Sequence, residues 1–583
     1  MVKWQIRWNA IDPRSSTPLE DYIESLGINK NFVEDFLHEP REITREDPFH
    51  LENINAGLDL AYEMVNSGKP LTLVVDCDVD GFTSAAIFYN FFKQYIKGEI
   101  RWRLHKGKEH GIESFMVDDD TAYVIIPDAG SNQKEELTEL SKRGIKVLVL
   151  DHHEAEELLD IPNVVIINNQ LSPRFVNKFL SGAGVVLKFI EAYCSSRLST
   201  CVDYKFYDLA ATGIVSDMMD CRALDNNFIV WHGLNNIENK MLQALLKKQN
   251  FKINDIYHPT KIDIGFYIAP IINGTIRFGE QNEKEDLFRG FIEEPREPKI
   301  TTTYRGETRV EDFYDYVARI CANAKSRQDA ERKKCATFLK QKIAEKDLDK
   351  NAIICITTDP TDEVRIPTTI TGLVAMELLN TYNKPCLVLH PRKEENGEQV
   401  FAGSGRSKTF DGLASFREFV RDSNSTEYAQ GHACAFGAAI KADELDKFIE
   451  EANERLKDID FTNTVEVECE FNGNDINVGL LEKFASLPAL YGNSIPQPRF
   501  AFYGKTATSN IKLMKNNSFR ICLAGIDGVR FKDEELCNNL PQSLLCNYKL
   551  IGRVQMNYFM GMAKPQLLID EIELEPVQVS SLF

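Results

Sequence analysis

Four short segments of the 583-residue chain carry acidic and imidazole side chains that could bind metal ions. The first segment reads Asp-Cys-Asp-Val-Asp-Gly, and the third places two histidines side by side. Together the segments supply seven candidate catalytic residues: Asp76, Asp78, Asp80, Asp128, His152, His153 and Asp217. Carboxylate oxygen and neutral imidazole nitrogen form a ligand set that suits Mn²⁺ or Mg²⁺ better than a thiolate-loving metal.

The number of oxygen ligands indicates two metal ions, because one tetrahedral zinc ion would use fewer. We expect the two ions to lie about 4 Å apart and to share the Asp128 carboxylate as a bridge. Such a pair would lower the pKa of a bridging water and neutralise charge on a phosphoryl group. An aspartate after a strand is often only a helix cap, but two adjacent histidines are harder to explain in a chain with 10 histidines. The predicted reaction is phosphodiester hydrolysis.

The elements that must position these ligands read as alternating strands and helices. Apolar runs predict strands over 71–75, 122–126, 146–150 and 164–167, and helices over 51–65, 82–96 and 134–143. This alternation predicts a parallel sheet with helices on both faces. The first three ligand segments follow strands, so they would meet at the carboxyl edge of the sheet, whereas Asp217 ends a separate apolar stretch.

The remainder of the chain predicts a connecting helix, a second α/β domain and a C-terminal β domain. Residues 310–344 read as one long or broken helix, and strands over 352–356 and 386–389 flank a helix over 370–381. A helix over 443–456 follows, and from Thr464 onward short alternating runs predict a small β-barrel or sandwich. We place the N-terminal extension at 1–48, the catalytic domain at 49–300, the connecting helix at 301–350, the second α/β domain at 351–460 and the β-barrel at 461–583.

Composition narrows the class of protein. No apolar run approaches the roughly 18 residues of a membrane span, and the amino terminus lacks a signal-peptide core, so we expect a cytoplasmic protein without membrane contact. The 13 cysteines show no Cys-x-x-Cys spacing, which argues against a disulfide framework or a thiolate zinc site. A net charge of −20 argues against indiscriminate binding of nucleic acid but permits a local basic channel. With no signal for oligomerisation, we expect a monomer.

The ordered set formed by residues 76–81, Asp128, residues 151–153 and Asp217 resembles the DHH phosphoesterase superfamily, which is named after the third segment. Within it, Phe82-Thr83-Ser84 and later segments resemble the single-strand-specific exonucleases of the RecJ family over nearly the whole chain. The resemblance implies that Asp78, Asp128, His152 and Asp217 hold one metal ion and that Asp76 and Asp128 hold the other. It places Asp80 and His153 behind these ligands or near the phosphate.

The same resemblance implies which residues contact the substrate. Residues 270–277 are similar to a family segment in which an asparagine and an arginine face the DNA backbone, and residues 106–111 resemble a loop ahead of the second motif, with His110 where an aromatic residue is usual. Residues 403–407 read as a glycine-rich loop, and residues 430–439 resemble the Gly-Gly-His motif of the DHH-associated domain. The implied contacts are Asn273, Arg277, Ser404, Arg406, His432, Lys106 and Lys108. Arg406 and His432 would face the metals across a cleft.

The C-terminal part resembles the OB-fold of the same exonucleases. OB-folds hold single strands by stacking bases on aromatic side chains beside a positive groove. The candidate stacking residues are Phe500, Phe502, Tyr503, Tyr548 and Tyr558. A narrow passage between the α/β domains would exclude duplex DNA by shape.

These features predict a metal-dependent exonuclease that degrades single-stranded DNA processively from its 5′ end to mononucleotides, in DNA repair or recombination. The 5′ direction and the preference for DNA come only from the resemblance, and a single-strand-binding protein or a helicase would be the expected partner. One alternative is a DHH-type nano-RNase or cyclic oligonucleotide phosphodiesterase, although those relatives usually lack the OB-like tail. A second is a catalytically inactive scaffold protein, against which the complete ligand set argues.

Overall fold

The computed structural model describes residues 3–6, 11–107, 109–200, 204–304, 306–393, 397–462, 464–473, 475–540, 544–559 and 561–577. The chain forms two compact units. Unit 1 consists chiefly of residues 321–464 together with residues 277–279. Unit 2 contains residues 4–276, 280–320 and 465–583.

The N-terminal segment packs into the hydrophobic core of the C-terminal β domain. Its elements are β1 (Lys3–Ile6), α1 (Pro18–Ser25) and α2 (Glu34–Leu37). Tyr22 and Phe36 are buried in the same cluster as Phe484 and Phe500. Tyr22 also donates a hydrogen bond from its hydroxyl to the carbonyl of Pro496, at 2.6 Å. The N-terminal segment, in which the sequence shows no motif, therefore contributes to a hydrophobic core that consists largely of residues from the C-terminal domain.

Residues 54–168 of unit 2 contain the predicted parallel sheet, with one more strand than expected. Its first elements are α3 (Ile54–Ser67), β2 (Leu71–Val75), α4 (Val79–Phe92), β3 (Ile100–Leu104), β4 (Tyr123–Pro127), α5 (Lys134–Lys142), β5 (Lys146–Asp151) and β6 (Val164–Asn168). The strand order is β3-β2-β4-β5-β6, and every neighbouring pair is parallel. The central strands β2 and β4 are buried along their whole length, as a sheet covered on both faces requires.

Two local differences from the predicted elements have a clear cause. The edge strand β3 was missed because Arg101 and Arg103 interrupt its apolar pattern, and both pair with Asp118 at the sheet edge. Helix α4 begins at Val79, three residues before the predicted start. The Asp78 side chain caps this helix by accepting a hydrogen bond from the Gly81 N–H at 3.1 Å.

Helices follow the sheet in chain order. They are α6 (Gly182–Tyr193), α7 (Tyr207–Ser216), α8 (Leu224–Asn235), α9 (Lys240–Lys248), α10 (Lys261–Asp263), α11 (Ala269–Phe278) and α12 (Gln281–Phe291). A hairpin of β7 (Lys299–Tyr304) and β8 (Glu307–Asp312) leads into α13 (Phe313–Glu345). The predicted connecting helix is thus continuous, but Val310 lies in β8 and not in the helix.

Unit 1 is built on a mixed five-stranded sheet. Its elements are β9 (Ile354–Thr357), α14 (Thr371–Tyr382), β10 (Cys386–Lys393), β11 (Gln399–Arg406), α15 (Phe416–Arg421), β12 (Thr426–His432), β13 (Ala435–Lys441) and α16 (Leu445–Leu456). The strand order is β12-β13-β11-β10-β9, and the pair formed by β9 and β10 is parallel.

The prediction of a glycine-rich loop over residues 403–407 is wrong, because Gly403 to Arg406 lie within strand β11. This strand pairs with β10 on one side and with β13 on the other. A Cβ atom at Gly403 would lie 2.0 Å from the Val388 carbonyl oxygen. The glycine there allows close packing of strands and does not form a phosphate loop.

The C-terminal domain is a seven-stranded sheet with two helices. Its elements are β14 (Thr464–Val467), β15 (Cys469–Asn472), α17 (Val478–Ala485), β16 (Arg499–Ala507), β17 (Ile511–Met514), β18 (Ser518–Cys522), β19 (Asp527–Arg530), α18 (Glu534–Asn538), β20 (Leu545–Phe559) and β21 (Met562–Pro576). Seven of these strands form the sheet, in the order β15-β16-β20-β21-β19-β18-β17, whereas β14 pairs with β1 in a separate two-stranded sheet. None of the helices in the described parts of the chain is long and apolar enough to cross a membrane.

Three of the five predicted base-stacking residues are core residues. Phe500, Phe502 and Tyr548 are buried in the hydrophobic cluster of the C-terminal domain, so their prediction as stacking residues is wrong. The Tyr503 hydroxyl donates a hydrogen bond to Glu470. Tyr558 is 74% exposed and stays a candidate for stacking.

Candidate metal centre

The structure brings the predicted ligands together at one site. His152, which follows β5, places its Nε2 3.2 Å from Asp128 Oδ1 and 3.6 Å from Asp217 Oδ2. A second group forms where Asp76 and Asp78, after β2, come within 4.8 Å of the Asp128 carboxylate. Asp128 belongs to both groups, which is the position that a bridging ligand would require.

The electrostatics of the site fit a bound cation pair. Asp128 is buried, and its Oδ1 accepts no well-aligned hydrogen bond from the described residues, although His152 Nε2 lies 3.2 Å away. Burial, together with the charges of Asp80, Asp78, Asp76 and Asp217, raises the pKa of Asp128 well above its ordinary range. Burial also lowers the pKa of His152 and so favours the neutral imidazole that binds metals. Hard oxygen donors with one neutral nitrogen are suited to divalent cations such as Mn²⁺ or Mg²⁺.

Asp80 holds the N-terminus of α6 beside this cluster. Its two carboxylate oxygens accept hydrogen bonds from the first backbone N–H groups of α6, at 2.7 Å from Gly182 and 3.0 Å from Ala183. An anion at a helix N-terminus is stabilised by the helix dipole and by the unpaired N–H groups there. Asp80 Oδ2 also lies 3.8 Å from His152 Nε2. Asp80 therefore holds the start of α6, and its carboxylate also lies within 4.8 Å of the ligand atoms of His152 and Asp217.

Replacing Gly182 by alanine is expected to lower the hydrolytic rate by about ten-fold or more, because the bridge would be displaced. A Cβ atom at Gly182 would lie 2.4 Å from Asp128 Oδ1 and 2.8 Å from Asp128 Cα. Initial rates at saturating and limiting Mn²⁺ measure the effect. Gly479→Ala is the matched control, since a Cβ atom in that helix meets only Asn477 Oδ1 at 3.7 Å. Equal rates for the Gly182 variant and the wild type would contradict the predicted contact.

Asp151 and His153 form a charged pair beside the ligands. Asp151 Oδ1 accepts hydrogen bonds from the His152 N–H at 2.7 Å and from His153 Nδ1 at 2.8 Å. Burial disfavours both charged forms, but the pairing prevails: it lowers the pKa of Asp151 and raises the pKa of His153 to about 9. His153 is 52% exposed. A pKa in this range favours the protonated His153 side chain at neutral pH, on the half-exposed side of the site.

Two histidines that sequence reasoning did not assign also contact the site. His110 Nδ1 lies 2.7 Å from Asp76 Oδ2, and His105, just after β3, lies 3.8 Å from Asp76 Oδ1. The hydrogen bonds to Asp76 and Cys77 raise the pKa of His110 to about 11. If β3 is recognised in the sequence, His105 can be predicted, because β3 ends at the same edge of the sheet as its parallel neighbour β2.

The predicted substrate contacts divide between the two units. Asn273 and Arg277 lie one turn apart on α11, and Asn273 Oδ1 has no hydrogen-bond partner in the described part of the chain. Lys106 is exposed, and its carbonyl oxygen accepts a hydrogen bond from Lys284 Nζ at 3.2 Å. Lys108 lies outside the described residues.

Unit 1 contains a pair of guanidinium groups. Burial and the nearby charge of Arg277 both lower the pKa of Arg406, so the two guanidinium groups lie close enough to repel each other. Ser404 Oγ lies 3.1 Å from Thr371 Oγ1, and His432 is exposed at the end of β12. Adjacent arginines that repel each other are stabilised by an anion such as a backbone phosphate.

Comparisons with known proteins agree with this architecture. Residues 70–214 match the DHH family, N-terminal domain, and residues 467–571 match the RecJ OB domain. The chain is 31% identical over 542 residues to the "Putative SPbeta prophage-derived single-strand DNA-specific exonuclease YorK" of Bacillus subtilis, covering 90% of this chain and 91% of that relative. It is 22% identical over 567 residues to the single-stranded-DNA-specific exonuclease RecJ of the same organism, covering 94% of this chain and 66% of RecJ.

Among solved structures, the chain is similar to RecJ from Thermus thermophilus in complex with Mn²⁺. The TM-score is 0.70 at 18% identity, and the match covers 98% of this chain and 79% of that chain. The predicted fold class, two α/β domains followed by an OB-like β domain, is confirmed by these matches.

Proposed function

The chain belongs to the RecJ-like single-strand-DNA-specific exonucleases of the DHH family, and from this premise we propose that it hydrolyses single-stranded DNA processively from the 5′ end to mononucleotides. The observation that carries the proposal is the clustering of buried Asp76, Asp128 and His152 with half-buried Asp78 and Asp217. Cations bound between these carboxylates would relieve their mutual repulsion, which otherwise raises the pKa of Asp128.

We propose Mn²⁺ or Mg²⁺ as the two cations. Asp128, His152 and Asp217, with Asp78, would hold one ion, and Asp76 with Asp128 would hold the other. Bound there, the ions would supply a water of lowered pKa and neutralise the charge of the phosphoryl group. The donor chemistry and the Mn²⁺ named for the Thermus relative support this assignment.

The chain's own residues would prepare the phosphodiester for attack. Asp80 and Asp151 keep the ligand-bearing segments in place through the hydrogen bonds described above. The half-exposed His153 imidazolium would donate a hydrogen bond to a phosphate oxygen. Arg277 and Arg406 would bind a backbone phosphate of the same strand and so hold the DNA while one nucleotide is removed. Tyr558 would stack on a base.

We place this activity in DNA repair or recombination in the cytoplasm, carried out by a monomer. A helicase or a single-strand-binding protein would be the expected partner. A helicase generates the single strands that the enzyme requires, and a single-strand-binding protein covers them. Support for these assignments comes from the family and from the single-strand preference named for its relatives.

Degradation of an oligonucleotide that carries different fluorophores at its two ends tests the proposal. With Mn²⁺ or Mg²⁺ we expect early release of the 5′ label as a mononucleotide from long single-stranded DNA, and no reaction with blunt duplex or chelator. Early release of the 3′ label would show that degradation starts at the 3′ end and would contradict the proposed direction. Cleavage confined to dinucleotides and other very short RNAs would favour the nano-RNase alternative, and no cleavage with any metal would favour the scaffold alternative.

A further inference from the structure

We propose that Asn493, in the C-terminal β domain, is a positioning residue for the metal ligand Asp217. Asn493 is buried, and its side-chain Nδ2 donates to three backbone carbonyl oxygens on either side of that ligand. The acceptors are Ile214 at 3.3 Å, Val215 at 3.1 Å and Met219 at 3.3 Å. The backbone carbonyl oxygen of Asn493 accepts a hydrogen bond from the Cys221 backbone N–H at 3.1 Å. This inference rests on the proposed metal centre.

Asp217 lies at the C-cap of α7, and Asn493 adds a second donor to this turn. The Ile214 and Val215 carbonyl oxygens already accept the N–H groups of Met219 at 3.0 Å and Met218 at 3.3 Å. Met218, which follows Asp217, has a φ of 58°, a left-handed conformation that is unfavourable for a residue other than glycine. The Asn493 amide binds the carbonyl groups of this turn and so favours the one conformation in which Asp217 faces His152.

The loop that carries Asn493 is shaped for this contact. Asn493 and Ser494 both have left-handed backbones, with φ values of 44° and 70°. Strained backbone of this kind persists only where surrounding contacts determine it. On the other side of the loop, the buried Lys261 donates from Nζ to the Leu490 carbonyl oxygen at 2.8 Å. The loop therefore contacts both the end of α7 and the start of α10.

The consequence is that the C-terminal domain contributes to the metal centre and not only to DNA binding. Because residues that orient a ligand usually change metal affinity by about 10- to 100-fold, loss of the amide should appear in Mn²⁺ binding. Asn493→Gly removes the amide but retains a residue that tolerates positive φ. We expect this variant to bind Mn²⁺ about ten-fold more weakly and to regain wild-type activity at high Mn²⁺.

Isothermal titration of the full chain with Mn²⁺ measures the affinity, and thermal melts in chelator check that the variants fold. Gln497→Ala is the matched control, because Gln497 Nε2 also donates to a carbonyl oxygen, that of Val554 at 2.6 Å, within the C-terminal domain. Asn493→Asp is a second variant, which should weaken Mn²⁺ binding further because a carboxylate would face carbonyl oxygens.

The outcomes separate this inference from the proposed function. Weaker Mn²⁺ binding in the Asn493 variants, with wild-type binding in the Gln497 variant, supports the positioning role. Unchanged affinity in both Asn493 variants, or an equal loss in the Gln497 control, overturns it. Failure of the wild type to bind Mn²⁺ would instead overturn the metal centre on which the inference rests.

Discussion

Replacing Asp128 by alanine should reduce single-strand hydrolysis by about 1,000-fold or more while the protein remains folded. The Asp128 carboxylate lies 3.2 Å from His152 and within 4.8 Å of the Asp76 and Asp78 carboxylates, so its loss would remove a ligand from each proposed ion. Several kcal/mol of transition-state stabilisation depend on such ions, which corresponds to about this factor in rate. Single-turnover release of labelled nucleotide measures it. Asp119→Ala is the control, because that aspartate is fully exposed in the same domain.

The same residue should control how stability responds to pH and metal. Because the pKa of Asp128 is raised on folding, the metal-free protein gains stability from the protonated carboxyl at low pH. This stabilisation is complete below the pKa of an aspartate in the unfolded chain, which is about 4. It is lost as the pH rises through the raised pKa of Asp128 in the folded protein. Mn²⁺ should restore stability at neutral pH in the wild type and much less in Asp128→Asn. Substantial hydrolysis by Asp128→Ala would mean that the metal assignment is wrong.

The largest expected effect on stability comes from Lys188. This lysine is fully buried in α6, with its Nζ 2.7 Å from Asp225 Oδ1, 3.3 Å from Glu191 Oε2 and 3.1 Å from the Glu46 carbonyl oxygen. Burial opposes its charge, yet the two carboxylates prevail and raise the pKa of Lys188. Lys188→Ala would leave Asp225 and Glu191 buried without this cation. We expect a loss of about 3–5 kcal/mol in the free energy of unfolding.

Urea unfolding of the full chain measures this loss, and a surface pair provides the comparison. Lys247 Nζ lies 2.9 Å from Asp315 Oδ2, with both side chains largely exposed. Lys247→Ala should therefore change the free energy of unfolding by about 0.5 kcal/mol or less. Effects of similar size at Lys188 and Lys247 would show that the buried contacts of Lys188 contribute no more to stability than an exposed ion pair does.

The sequence predicted the parallel sheet well, and it predicted that the candidate ligands meet at one edge, because both depend on local patterns. Buried strands read as continuous apolar runs, and a parallel sheet brings strand ends to one edge, so Asp76, Asp128 and His152 were placed correctly. The resemblance to the DHH and RecJ families is confirmed. The roles of the individual ligands stay predictions.

Contacts between distant segments were beyond the sequence. A strand rich in glycine, such as Gly403 to Arg406, looks like a loop until its two neighbouring strands are known. Aromatic residues in short strands alternate between core and surface, and one residue of register decides which face Phe500 or Phe502 takes. His110 reaches Asp76, and Asn493 reaches α7, only through the tertiary fold.

Equilibrium dialysis against Mn²⁺ counts the bound ions without requiring a substrate. We expect two Mn²⁺ ions per chain at saturation in the wild type and fewer than two in Asp128→Asn. A wild-type stoichiometry of one or zero, or an unchanged stoichiometry in the Asp128 variant, would contradict a centre in which two ions share this carboxylate.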